Sequence, residues 1–341
     1  MNNYRHSGLP PAEASALQHL RAGDPESIQM NTNQHIVIIC GPTASGKTGL
    51  ALQLAKELPK ANILSVDSRQ AYKDLGLITG KDIPKNLPRG ITIYGHNVFN
   101  SDERANLADF VRYSQKIILD SQKTNTPLII VGGTGLYLKA LTQDLSDTNI
   151  PPNSKLRRKL EKLSLKQLQN LLQKENPKKF LSLNRSDFMN PRRLVRALEI
   201  STSIKQTDLT IRHSRESGNL YRSFHWIGLM PDKITLRINI NRRVRDRIKN
   251  GAINEVQNLL KKFPDKNLPI YTSLGVSQTI DFIEKRITEQ QLVDQWTHAE
   301  TNYAGRQIVW FKKQPGIVWY DKDIDKHNLS KELSKIYLKN A

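Results

Sequence analysis

Short apolar runs alternate along this chain with longer stretches of helical periodicity. Ile36-Val37-Ile38-Ile39 is apolar and β-branched at every position, the texture of a strand covered on both faces. From Gly49 to Leu58 the apolar residues Leu50, Leu54 and Leu58 recur at helical spacing. Ile63-Leu64-Ser65-Val66 predicts a second strand ending at Asp67. Leu128-Ile129-Ile130-Val131 predicts another, ending at Gly132-Gly133. The run HWIGLM at 225–230 predicts one more strand, and helical patterns cover 242–262 and 278–312. Strands that alternate with helices predict an α/β fold, a parallel sheet with flanking helices.

Two regions depart from that alternation. Between 153 and 210, Leu156, Leu160, Leu163, Leu168, Leu171 and Leu172 stand at helical spacing among lysines and arginines. This predicts amphipathic helices, set as an insertion into the α/β domain. Residues 1–33 are polar and weakly periodic, with Pro10-Pro11 and Asp24-Pro25, and predict a disordered or loosely ordered N-terminal extension, with Met30 as an alternative start. Arg5-His6-Ser7-Gly8 is echoed by Arg212-His213-Ser214-Arg215, so both stretches are expected to be poorly structured inserts. The expected organisation is a catalytic core over 34–145 and 212–325, a helical insertion over 146–211 and a C-terminal tail over 326–341.

Charge and cysteine usage narrow the classes. The chain has 341 residues, enough for a well-buried core. Its 52 Lys+Arg against 32 Asp+Glu give a net charge of +20. Such an excess favours polyanionic partners, nucleic acid first and a membrane surface second. The single cysteine, Cys40, excludes an internal disulfide and a cysteine-based metal cluster, and its place at the end of an apolar run makes it a small buried residue. No apolar stretch approaches the ~20 residues that span a bilayer. The N-terminus lacks a continuous apolar signal core, so the cytoplasm is the expected location.

The strongest chemical signal is Gly41-Pro42-Thr43-Ala44-Ser45-Gly46-Lys47-Thr48, between a predicted strand and a predicted helix. This is the phosphate-loop pattern, which makes the sheet P-loop-type. Its glycines let backbone N–H groups converge on phosphate oxygens, and the helix N-terminus adds partial positive charge. Lys47 supplies a point charge and the Thr48 hydroxyl can hold Mg²⁺. The loop specifies a diphosphate or triphosphate but not which one. Asp67, at the end of the next strand, could hold a metal as in an NTPase, act as a general base over the bound phosphates, or cap a turn. Gly132-Gly133-Thr134-Gly135 reads both as a tight turn and as a surface that substrate approaches closely. Tyr137 and Tyr303 read as packing residues.

Together with Asp67-Ser68, Tyr72, Thr79 and Lys81, with VGGTGLYLKAL at 131–141, PRRLVRALE at 191–199 and YAGRQIVWF at 303–311, the loop makes the chain resemble the tRNA dimethylallyltransferases, also called tRNA isopentenyltransferases. The resemblance runs from about 35 to 320. It implies transfer of a dimethylallyl group from its diphosphate to the exocyclic amine of adenosine 37, next to the tRNA anticodon, with Mg²⁺ as cofactor. It implies that Thr43 to Thr48 bind the diphosphate and that Arg243 stands at the same group. Asp67 would be the general base. Ser68, Arg69, Gln70, Thr134, Arg157 and the run Arg192, Arg193, Leu194, Val195 and Arg196 would meet the tRNA. A monomer is expected.

Three basic stretches suit such a partner: Lys155 to Lys162, Arg192 to Arg196, and Arg242 to Arg247. Departures from the family pattern lie at Gly275-Val276-Ser277, Thr301 and Gly305, where the family carries Gly-Tyr with a basic residue, arginine and lysine. The Gly-Lys pair usual after Glu199 is replaced by Ile204-Lys205-Gln206 and RHSRESGNL. These changes remove charge from the expected tRNA side and leave the phosphate loop intact. The competing classes are a small-molecule kinase using ATP and a basic RNA-binding protein with a degenerate nucleotide site.

Overall fold

The computed structural model describes residues 35–81, 83–84, 86–143, 150, 152–207, 223–321 and 325–338, with only the backbone described at 204–207. The predicted N-terminal extension and the RHSRESGNL segment lie outside the described residues.

The first half of the core runs β1 (His35–Cys40), α1 (Lys47–Lys56), β2 (Ala61–Val66), β3 (Ile91–Tyr94), α2 (Leu107–Lys123), β4 (Leu128–Gly132) and α3 (Gly135–Thr142). A group of short helices follows: α4 (Ser154–Leu160), α5 (Leu165–Glu175), α6 (Pro177–Leu181), α7 (Arg185–Phe188) and α8 (Pro191–Thr207). The core resumes with β5 (Ser223–Leu229), α9 (Lys233–Lys249), α10 (Ala252–Lys262), α11 (Val276–Ile283), α12 (Glu289–Phe311), β6 (Ile317–Tyr320) and α13 (Lys326–Leu338).

The strands form one sheet in the order β3-β2-β4-β1-β5-β6, and every neighbouring pair is parallel. The central strands are apolar throughout because helices cover both faces. On one face Leu50, Leu54, Leu329, Leu333 and Tyr337 of α1 and α13 pack on Val37, Ile39 and Ile129. On the other, Phe110 and Ile118 of α2, Leu138 of α3 and Phe311 of α12 pack on Ile36, Ile38 and Ile130. A third core joins α9 to α12 with Tyr72, Leu75 and Ile78. The short helices have their own core, built from Leu160, Leu168, Leu172, Leu194 and Leu198.

The predicted strands are all present. The four-residue β3 and β6 add to them at the two edges, too short for their periodicity to stand out. The helical pattern over 242–262 is two helices, because Gly251 takes φ of 103° and breaks the run. The pattern over 278–312 is likewise two: Lys285 has φ of 59°, and Thr288 and Gln291 form a capping box that starts α12. The segment from 326, expected to be a tail, is instead the helix α13. Its Tyr337 hydroxyl donates to the Leu128 carbonyl at 2.6 Å and accepts from the Val37 amide at 2.9 Å. The phenol thus bridges the ends of β1 and β4 inside the sheet, which satisfies two buried backbone groups.

Candidate active site

In a parallel α/β sheet, ligands collect beyond the carboxyl ends of the central strands. Here those ends are Cys40, Val66 and Gly132 of β1, β2 and β4. Beyond Cys40 the phosphate loop turns tightly into α1. Gly41 has φ of 140° and leaves no room for a Cβ beside the Leu229 carbonyl of β5, Ala44 has φ of 59°, and Gly46 has φ of 87°. α1 therefore starts at Lys47 with its first amides facing the loop. Lys47 Nζ donates to the Pro42 carbonyl at 2.6 Å. Burial, with the nearby Arg243 guanidinium, lowers its pKa to about 8.

Beyond Val66, the Asp67 Oδ1 accepts from the Arg69 amide at 2.8 Å and from the Gln70 amide at 3.2 Å. Capping its own turn and lining a cavity are thus both true of Asp67. Arg69 Nη1 donates to the Pro269 carbonyl at 2.9 Å. Beyond Gly132 the chain turns into α3. A side chain on Gly132 would strike the Val66 carbonyl, and one on Gly133 would strike the Gln307 amide, so close approach requires both glycines.

Two helices from the second half of the core close the site. Arg243 Nη1 of α9 donates to Thr43 Oγ1 at 3.4 Å. Gln307 of α12 accepts from the Thr43 amide at 2.8 Å and donates to the Gly133 carbonyl at 2.9 Å. Its side chain therefore ties the phosphate loop to the turn after β4. Tyr303 stands beside the Thr134 hydroxyl; burial, helped by the Asp67 carboxylate, pushes its pKa up to about 12. The Arg306 guanidinium lies 5.6 Å from its ring centroid.

These groups line one cavity of about 700 Å³. Lys47, Thr48, Asp67 and Arg243 all reach it. Six of its lining residues are cations (Lys47, Arg69, Arg242, Arg243, Arg247 and Arg306), against the two carboxylates Asp67 and Glu300. Glu300 is already paired with the buried Arg247, so the cavity carries surplus positive charge suited to a polyanion.

Other sequence-derived candidates lie elsewhere or act differently. Gln70 donates to the carbonyls of Thr79 and Gly80 at 3.2 and 2.9 Å, accepts from Ser65 Oγ at 3.2 Å and lies 3.1 Å from His96 Nε2, so its amide braces the cavity wall. Leu194 and Val195 are buried in the core of the short helices, which corrects their assignment as side chains that touch RNA. Arg157 makes a two-pronged pair with the buried Glu199 at 2.7 and 2.8 Å, and Arg196 donates to the Ile150 carbonyl at 2.8 Å. Arg157 thus holds α4 to α8, and Arg196 ties α8 to the segment ahead of α4. Arg192 and Arg193 are exposed, with Arg193 paired to Asp187.

Tyr137 packs against Phe110 with ring centroids 5.2 Å apart, as its packing role requires; Tyr303 instead forms cavity wall. Arg306 and Gln307 fall in the run at 303–311, where the sequence pattern gave neither a role of its own. Of the departures, Val276 fills a fully buried core position, whereas Gly305 sits on the open face of α12 with nothing within 4 Å of a Cβ. Among the described residues no helix is long and apolar enough to cross a membrane, and no three His, Cys, Asp or Glu side chains gather to hold a metal.

A family model described as IPP transferase matches residues 70–314. The chain belongs to this family. It is 30% identical over 294 residues to the tRNA dimethylallyltransferase of Halothermothrix orenii, which covers 85% of this chain and 88% of that one. To the tRNA dimethylallyltransferase of Endomicrobium trichonymphae it is 33% identical over 288 residues, covering 83% and 93%. Among solved structures, the full-length tRNA isopentenylpyrophosphate transferase of Bacillus halodurans superposes with a TM-score of 0.63 at 26% identity, covering 90% of this chain and 97% of that one. A eukaryotic dimethylallyltransferase solved acting on tRNA shares the fold, with a TM-score of 0.72 at 23% identity over 90% and 79% of the two chains. The IPP transferase match begins at Gln70, so the phosphate loop and Asp67 stand before it and are placed by geometry.

Proposed function

We propose that this chain transfers the dimethylallyl group of dimethylallyl diphosphate to the N6 amine of adenosine 37 in tRNA, giving N6-(dimethylallyl)adenosine and diphosphate. Family membership supports the reaction. One observation carries the assignment of residues: a single cavity holds the phosphate loop with Lys47 and Arg243 together with a carboxylate, Asp67, at the end of the adjacent strand.

The chemistry follows from that arrangement. As the allylic carbon–oxygen bond breaks, its electron pair goes to the diphosphate, where Lys47, Arg243 and the loop amides stabilise the added charge. The N6 lone pair forms the new carbon–nitrogen bond. An adenine amine is a weak nucleophile because its lone pair is delocalised into the ring. Asp67 orients it, accepts one N6 proton as the bond forms and later passes that proton to solvent. Tyr303, kept neutral by its raised pKa, forms a wall that excludes water.

Mg²⁺ suits these residues. It is held mainly by substrate phosphates and waters with few protein oxygens, and the exposed Thr48 hydroxyl at the start of α1 is such a donor. When bound, the ion would supply further positive charge at the leaving group.

The target base leaves its stack to reach Asp67, at a cost of about a few kcal/mol. That cost is smaller in an anticodon loop than in a duplex, and loops are where sequence-specific RNA recognition concentrates. Ser68, Arg69 and Thr134 are the groups near the cavity assigned to the RNA, with Arg192 and Arg193 on the short helices. The enzyme acts as a monomer in the cytoplasm. The deciding experiment incubates the protein with tRNA, dimethylallyl diphosphate and Mg²⁺ and analyses the nucleosides by mass spectrometry. A dimethylallyl increment on adenosine is expected; transfer of a γ-phosphate from ATP, with unaltered nucleosides, would replace this reading with a kinase.

A further inference from the structure

α13 brings a lysine to the phosphate loop that neither the loop pattern nor the family match contains. The match ends at residue 314, and Lys326 is the first residue of α13. Its Nζ lies 2.5 Å from the point where a Cβ on Gly46 would stand. Gly46 immediately precedes Lys47, and its φ of 87° shapes the turn that directs the first amides of α1. The ammonium of Lys326 therefore rests directly on the anion-binding loop.

Its position is fixed from behind. Asp325 caps α13 by accepting from the His327 and Asn328 amides at 2.9 and 3.2 Å. Leu329, Leu333 and Tyr337 bury the helix against α1 and the sheet. Among the described residues Lys326 has no carboxylate partner. A cation held against the anion-binding loop without a carboxylate to neutralise it is placed to meet an anion that the loop binds.

We propose that Lys326 is a further diphosphate-binding residue, which contacts the leaving group from the α13 side while Lys47 and Arg243 hold it from the other. This rests on the reading of the loop as a diphosphate site. It makes the C-terminal helix part of the donor site, with the diphosphate clamped between the two ends of the fold.

The test measures binding of inorganic diphosphate with Mg²⁺ to the full chain, together with the KM and kcat for dimethylallyl diphosphate. Lys326→Ala is expected to weaken diphosphate binding about tenfold, the scale of one charge-assisted hydrogen bond, and to raise KM in parallel. Lys326→Arg is expected to restore most of that loss, since the charge rather than the packing is at issue. Lys326→Gln serves if the alanine variant fails to fold. Unchanged diphosphate affinity in Lys326→Ala or Lys326→Gln overturns the proposal and leaves the loop assignment standing. An arginine variant as weak as alanine overturns it too, because it makes the effect one of packing. Failure of the unaltered protein to bind diphosphate, with Lys47→Ala no different, removes the loop assignment and this proposal with it.

Discussion

Asp67 has two duties that a single substitution can separate. Its Oδ1 holds the turn over Arg69 and Gln70, and its carboxylate faces the cavity. Asparagine keeps an oxygen to accept both amides and loses only basicity. Asp67→Asn should therefore lower kcat by about 10²–10⁴-fold while tRNA affinity stays within about twofold, as read by nucleoside mass spectrometry beside filter binding. Preserved turnover with lost binding would move Asp67 to the RNA surface. Arg243→Ala should raise the KM for the diphosphate donor and leave the salt dependence of tRNA binding unaltered. Lys47 gives a pH signature. In the folded chain its pKa is lowered from 10.5 to about 8, so it is charged below about 8 and loses that charge above. The kcat/KM for the donor should fall above pH 8, and Lys47→Arg should flatten the fall because arginine keeps its proton. By linkage, the depressed value means this group favours the folded state more as pH rises from 8 toward 10.5. The loop, Asp67 and Arg243 were legible in the sequence because each lies within a local pattern. Gln307 was not: its bond to Thr43 spans 264 residues and exists only once α12 packs beside the loop.

At the scale of elements, the strands were read from apolar runs, whereas helix boundaries depended on single residues. Gly251 and the Thr288 cap divided two patterns that looked continuous. Helix phase decided what a motif could do. Arg192 and Arg193 point out of α8 while Leu194 and Val195 point in, so a run that reads as one recognition stretch is half surface and half core. Glu199, fully buried on the same helix, takes both prongs of Arg157. Glu199→Ala should cost about 1–3 kcal/mol, the scale of losing charge-assisted hydrogen bonds to arginines that water can still reach, and should appear as lost amide-exchange protection confined to α4–α8 with the sheet unaffected. At the other end of the core, Tyr337→Phe leaves the Val37 amide and the Leu128 carbonyl without their shared partner. About 1–3 kcal/mol of stability should be lost, measured by denaturant unfolding of the full chain.

For the whole molecule, charge sets the encounter. A net +20, with the cavity cationic as well, attracts RNA over long range, and salt weakens that attraction. If about four phosphates are contacted, raising salt from about 50 to 200 mM should lower tRNA affinity by about a hundredfold, measured by filter binding across a salt series. The KM for the small donor should move much less. The fold was legible because its sheet is continuous and apolar. The closing of the cavity was not, since that depends on α9 and α12 arriving from far along the chain. The Tyr337 bridge carries this to the ribosome. Val37 emerges 300 residues before the phenol that completes its strand, which at about 5–20 residues per second is a wait of about 15–60 s. Through that interval the nascent chain holds a phosphate loop on an unfinished sheet, so the sheet is completed only after α13 has been made.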